Sequence, residues 1–130
     1  MAGGYVYLMQ TDQTGLYKIG STMYPNARKS SVKGEYGFNI LAMRTFYFDD
    51  DIYIDVERHI RHAFRQWNVP RSEGIGLEFF NFGDMPFNEV VYMWRNMCKL
   101  ANIRPPMNER PVIIDTIPTS HLGKEGAFYD

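Results

Sequence analysis

Across residues 53–67, Tyr53, Val56, Ile60, Ala63, Phe64 and Trp67 recur at intervals of three and four, the period of a helix with one apolar face. At about 100° per residue, Glu57 falls at the edge of that stripe. Arg58, Arg61 and Arg65 fall just beyond it on the same side. A carboxylate placed between a core-facing stripe and a basic one has two uses. It can form an i,i+4 surface pair with Arg61. It can also hold a hard divalent cation, because Mg2+ keeps most of its water and needs few protein oxygens. His59 and His62 lie on the side of the helix away from Glu57, which argues against a metal site shared by all three.

Other residues carry the right chemistry for phosphate. Arg28 has a planar fork that grips phosphate oxygens bidentately and never loses its charge; its alternative is a solvated helix arginine. In a strand spanning 4–9, Tyr5 and Tyr7 share one face, and their hydroxyls can position water or phosphate or simply pack. In a second strand, Lys18 faces opposite to Tyr17 and Ile19. Lys18 can act as a base or contact phosphate, and phosphate contact is the preferred reading. Glu78 is a second candidate carboxylate, with packing of its strand against the helix as the alternative. Cys98 sits on an apolar helical face and reads as a core thiol, and the eight methionines read as core filling.

The 130 residues allow one domain, and 45% hydrophobic content is that of a globular chain. One cysteine excludes a disulfide framework and a multi-thiolate metal site, so a reducing cytoplasm is the expected compartment. No apolar run approaches the roughly 20 residues that cross a bilayer, and MAGGYVYLMQ lacks a basic leader, which argues against a signal peptide or a membrane partner. Fourteen Lys and Arg against fifteen Asp and Glu leave a net charge of −1, which speaks against a histone-like binder. The charge is segregated, however. Residues 17–46 carry five cations and only Glu35. An acidic block follows, formed by Asp49, Asp50, Asp51, Asp55 and Glu57, and then Arg58, Arg61, Arg65 and Arg71 come with no acid between them.

These residues need elements to hold them. Aromatic and β-branched residues at 4–9 and 16–20, with a polar turn ending in Gly15, predict a hairpin. Ser21 or Thr22 can cap a helix that takes Pro25 in its first turn and stops near Gly34. Residues 39–48 predict a third strand. Asp50 or Asp51 can cap the Glu57 helix, which runs to about Gln66. Residues 72–76 read as a loop and 77–82 as a short closing strand. Residues 87–101 form a last helix with Val90, Val91, Trp94, Met97, Cys98 and Ala101 on one side. Pro105, Pro106, Pro111 and Pro118 then predict an extended tail.

Tyr-Val-Tyr at 5–7, Tyr-Lys-Ile-Gly-Ser at 17–21 and Arg28 eight residues after Gly20 resemble the opening of the GIY-YIG nuclease superfamily. VERHIRHAF at 56–64 and LEFF at 77–80 are similar to a phage and microbial branch whose second motif reads Y-K-I-G. The resemblance covers about Gly4 to Phe82. It implies an α/β (α+β) fold: a small three-stranded antiparallel sheet flanked by helices. It also implies metal-dependent hydrolysis of DNA phosphodiesters, with Mg2+ or Mn2+ held by a single carboxylate. On that mapping Tyr7 is the first-motif tyrosine, Arg28 the helix arginine and Glu57 the metal ligand, with Tyr17, Arg61, Glu78, Asn68 and Asn81 as possible support. Lys18 stands where the second-motif tyrosine is expected.

The expected organisation is a nuclease-like domain at 1–82, a helix at 83–103 packed on it, and a tail at 104–130. Residues after Phe82 carry six acids and five bases, too little positive charge for a strong DNA-binding module. Sequence specificity then falls to a protein partner or a second copy of the chain. The alternative reading is an inactive module of the same fold that binds nucleic acid, a nucleotide or a protein.

Overall fold

The computed structural model describes residues 3–70 and 78–103. β1 (Gly4–Thr11), β2 (Leu16–Thr22), β3 (Ile40–Phe48) and β4 (Phe79–Asn81) form one antiparallel sheet in the order β3-β1-β2-β4. Three helices accompany it: α1 (Pro25–Tyr36), α2 (Ile52–Ala63) and α3 (Phe87–Ile103). The fold is therefore α+β, as expected, but the sheet has four strands rather than three. The fourth is short, and its alternation explains why it is added. Phe79 and Phe80 point to opposite faces and are both fully buried, so two aromatic side chains close the sheet edge from both sides.

The hairpin forms as its sequence predicts. β1 is apolar at successive positions because it is central and covered on both faces. Val6 and Leu8 join Tyr17, Ile19, Phe46 and Phe48 in the larger core, which α2 closes with Val56 and Ile60 and α3 closes with Val90 and Trp94. Tyr7 and Met9 point the other way and pack with Met43 and with Val32 of α1. Each layer therefore carries one helix whose charged residues can reach a site: Arg28 on the α1 side and Glu57 on the α2 side.

Element boundaries differ from expectation in four places. α1 runs through Gly34 and ends at Gly37, whose φ of 79° is the left-handed conformation that closes a helix; its N–H bonds the Lys33 carbonyl. The cap position of α1 is Tyr24, with no side-chain cap, while the Thr22 hydroxyl accepts the Tyr24 N–H at 3.0 Å. α2 ends at Ala63 and passes into a 3-10 turn, Arg65–Trp67, which leaves Ala63 exposed and swings Phe64 and Trp67 onto the core. Asp51 precedes α2 without a side-chain cap, and Asp50 Oδ1 accepts the Ile52 N–H at 3.3 Å. The tail expected at 104–130 and the loop expected at 72–76 lie outside the described residues. Among the described residues no helix is long and apolar enough to cross a membrane.

α3 shares the core of α2 through Trp94, which is fully buried. Trp94→Ala is expected to lower unfolding free energy by about 3–5 kcal/mol, read by chemical denaturation, because a cavity would open between sheet and helices.

Candidate active site

The site is built around one hydroxyl. In the antiparallel register Tyr7 stands directly opposite Gly20, and a Cβ at position 20 would meet Tyr7 Cζ at 2.6 Å. The absence of a side chain at Gly20 therefore lets the phenol ring lie across β2. Lys18 projects from the same face of β2 and donates from Nζ to Tyr7 Oη at 2.7 Å, with Nζ 5.1 Å from the ring centroid. Arg28 of α1 donates from Nε to the same oxygen at 3.4 Å and from Nη1 to Ser31 Oγ at 3.0 Å. That hydrogen bond to Tyr7 raises the guanidinium pKa further above its ordinary value. Two cationic donors thus occupy the lone pairs of Tyr7 Oη, and the phenol hydrogen is left to point elsewhere.

Lys18 is only 1% exposed, so its ammonium needs a counter-ion. Glu78 supplies it, with Oε1 at 3.1 Å from Nζ. Glu78 is held there by the sheet: β4 pairs only with Leu16–Lys18, and the Glu78 carbonyl takes the Ile19 N–H at 3.0 Å. Past that point, among the described residues, no strand covers the β4-side edge of β2.

At this open edge α2 brings Glu57 to Ser21. Glu57 Oε1 accepts from the Ser21 hydroxyl at 3.4 Å, and Oε2 pairs with Arg61 Nε one turn along the helix. Glu57 is 7% exposed, and desolvation by burial raises its pKa. Arg61 and the Ser21 hydrogen bond pull the pKa down, and repulsion from Glu78 adds to the rise. Glu78 also attracts Arg28 electrostatically, so its carboxylate lies within electrostatic reach of both halves of the site.

Tyr7, Lys18, Arg28, Glu57, Arg61 and Glu78 are thus drawn from β1, β2, α1, α2 and the approach to β4. The remaining residues singled out from sequence lie elsewhere. Tyr17 faces the opposite side of the sheet, edge-on to Phe82 and stacked with Phe87, and burial raises its pKa while Gln10 hydrogen-bonds it. Asn68 donates to the Phe79 carbonyl at 2.9 Å and bridges to Phe80, a role in closing the sheet edge. Asn81 accepts the Gly83 N–H at 2.8 Å in a turn, opposite Leu16 and away from Gly20. Ser21 reads from sequence as a helix cap and as the last residue of the Tyr-Lys-Ile-Gly-Ser motif, with no task in the site; its place directly after Gly20 was the signal for one.

Among the described residues no group of three or more His, Cys, Asp or Glu gathers to form a metal cage. The donor set is one desolvated carboxylate with a second within electrostatic reach, which suits a hard cation that retains its water. Glu57 gains from such a cation because burial and Glu78 both oppose its charge.

A small α+β domain that draws a tyrosine, three cations and two carboxylates together around one strand of an antiparallel sheet is the class defined by this geometry. Residues 4–99 match the T5orf172 domain, and the chain belongs to that family. A protein of Escherichia phage T5 named "Putative endonuclease" is 33% identical over 94 residues, which is 70% of this chain and 32% of that protein. The chain therefore matches about a third of that relative's length. No solved structure matches the chain.

Two outcomes follow. Gly20→Ala is expected to lower stability by about 1–3 kcal/mol in chemical denaturation, because the new methyl meets a buried ring with no room to move. Glu57 has a pKa raised above 4.5 in the folded state, so the unfolded chain ionises first as pH rises. Its contribution to stability is therefore fully present below that ordinary value and declines as pH rises through the raised one. Glu57→Gln should flatten the decline, seen as a smaller difference in unfolding midpoint between acid and neutral pH.

Proposed function

We propose that this domain is a metal-dependent endonuclease that hydrolyses DNA phosphodiester bonds, with an active site of the GIY-YIG kind. The observation that carries this reading is the Tyr7 hydroxyl held by Lys18 and Arg28 on one side of β2, with Glu57 and Glu78 at its open edge. The membership in the T5orf172 family and the name of the phage T5 relative support it.

Each residue has a task. Arg28 binds a non-bridging phosphate oxygen with the fork nitrogens that Tyr7 does not use. Tyr7 turns its free hydroxyl hydrogen towards the attacking water or a phosphoryl oxygen. Lys18 is buried and engaged on both sides, so it acts as a positioning residue that orients Tyr7 and neutralises Glu78, not as the direct phosphate contact expected from sequence. Glu57, steadied by Ser21, is the ligand for Mg2+ or Mn2+, with water completing the coordination. Bound there, the metal supplies Lewis-acid charge for the phosphoryl and leaving oxygens. Arg61 neutralises Glu57 in its absence.

With a net charge of −1 over its 130 residues, the chain binds DNA with modest affinity and takes sequence specificity from a second copy, a protein partner or further domains such as the longer relative has room for.

With plasmid DNA and Mg2+ or Mn2+, the protein is expected to convert supercoiled DNA to nicked and linear forms. Chelation with EDTA and Glu57→Gln should each abolish cleavage, and Arg28→Ala or Tyr7→Phe should slow it by roughly 10²–10³-fold. Cleavage by Glu57→Gln at the rate of the unaltered protein would refute the reading. DNA binding without turnover in any metal would identify an inactive module of the same fold.

A further inference from the structure

Arg58 and Arg61 of α2, with His62 beside them and Arg65 in the 3-10 turn that follows, are spaced by three, four and seven, which places them on one face. Arg58, Arg61, His62 and Arg65 line an open groove with Asn68, which follows the 3-10 turn. Like charges at these spacings repel one another, and α2 places no acid among them after Glu57. Among the described residues, the acids paired with them lie at the groove's start. Asp55 is 3.6 Å from Arg58, an exposed pair that water and salt weaken, and Glu57 holds Arg61. Arg65 is fixed by donating from Nη1 to the His62 carbonyl at 2.9 Å, which holds its guanidinium over the groove without neutralising it.

Size and position narrow the occupant. The groove holds about 360 Å³ and opens to solvent, which suits a stretch of backbone better than an enclosed small molecule. It is also continuous with the site already described, because Arg61 lines the groove and pairs with Glu57. A strand whose scissile phosphate sits at Tyr7, Arg28 and Glu57 has neighbouring phosphates to accommodate, and this is the cationic surface that begins at Glu57.

We propose that the α2 groove binds successive phosphates of the DNA strand beside the cleavage site, with Arg58 and Arg65 as the principal contacts and Arg61 shared between Glu57 and the first of those phosphates. The proposal deepens the nuclease reading and rests on it for the identity of the polyanion. Its test needs no cleavage. Phosphate contacts of this kind act through counter-ion release, so each one removed lowers the slope of log affinity against log salt by about 0.9.

The test is binding of a fluorescein-labelled duplex, and of one of its strands alone, to the full chain in EDTA across a salt series by fluorescence anisotropy. Arg58→Gln with Arg65→Gln should weaken binding to all sequences alike and reduce the salt slope by about 1.8 on the duplex and about 1.4 on the single strand for two lost contacts. A charge-matched control, Lys33→Gln with Lys99→Gln on α1 and α3, should leave the slope unchanged. All four side chains are exposed, so circular dichroism should show the same fold throughout. Unchanged binding by the arginine variant overturns the proposal, and so does an equal loss in the control, which would reduce the effect to net charge. If the slope falls as expected but the unaltered protein cuts no DNA in any metal, the nuclease reading fails and the groove stands. If it cuts DNA but the arginine variant binds normally, the groove fails and the nuclease reading stands.

Discussion

The contact between the Tyr7 ring and Gly20 is the constraint on which the site depends. Antiparallel pairing of β1 with β2 puts the two residues opposite each other, and only a residue without Cβ leaves space for a phenol lying across the strand. The ring's position decides where its hydroxyl lies, and the hydroxyl decides which cations can meet there. Lys18 reaches it from two residues along β2, and Arg28 reaches it from α1 because Val32 packs that helix onto Tyr7, Met9 and Met43. A one-residue slip of the hairpin would exchange the faces of Tyr7 and Leu8 and dissolve the cluster. The two apolar layers hold that register, since each would have to turn its buried residues into the other.

The second half of the site depends on where the sheet stops. Among the described residues β4 pairs with three residues of β2; Phe79 and Phe80 each fill a core, while Glu78 before them is partly exposed. The carboxylate of Glu78 is left at the end of the short strand, paired with the Lys18 ammonium and within electrostatic reach of the Glu57 carboxylate. Burial and this neighbour both oppose ionisation of Glu57, and Arg61 and Ser21 oppose them in turn. A carboxylate poised in this way is poorly suited to stabilising a fold and well suited to receiving a cation. The same arginine connects it to the basic face of α2.

Much of this was legible in the chain. Aromatic and β-branched content located the hairpin and the third strand, a cap followed by proline located the first helix, and apolar residues on one helical face located the other two. Lys18, Arg28, Tyr7 and Glu57 stood out by residue type and by their order in two short motifs. Boundaries were less visible. The end of α1 at Gly37 instead of Gly34 depends on which glycine can turn left-handed at the point where the chain leaves the helix, and both look alike in sequence. Tyr17, Asn68 and Asn81 have the right chemistry, but their side chains serve the core, the sheet edge and a turn.

The amino-acid sequence by itself determined the elements, the faces they bury and the segregation of charge along the chain, since these follow from local periodicity and composition. Only the tertiary structure decided that Lys18 is buried against Tyr7 and Glu78, that Ser21 meets Glu57, and that a fourth strand pairs with Leu16–Lys18 of β2. Those facts rest on distances between residues far apart in the chain, up to 60 positions for Lys18 and Glu78, and they are set by how the sheet's two faces are covered.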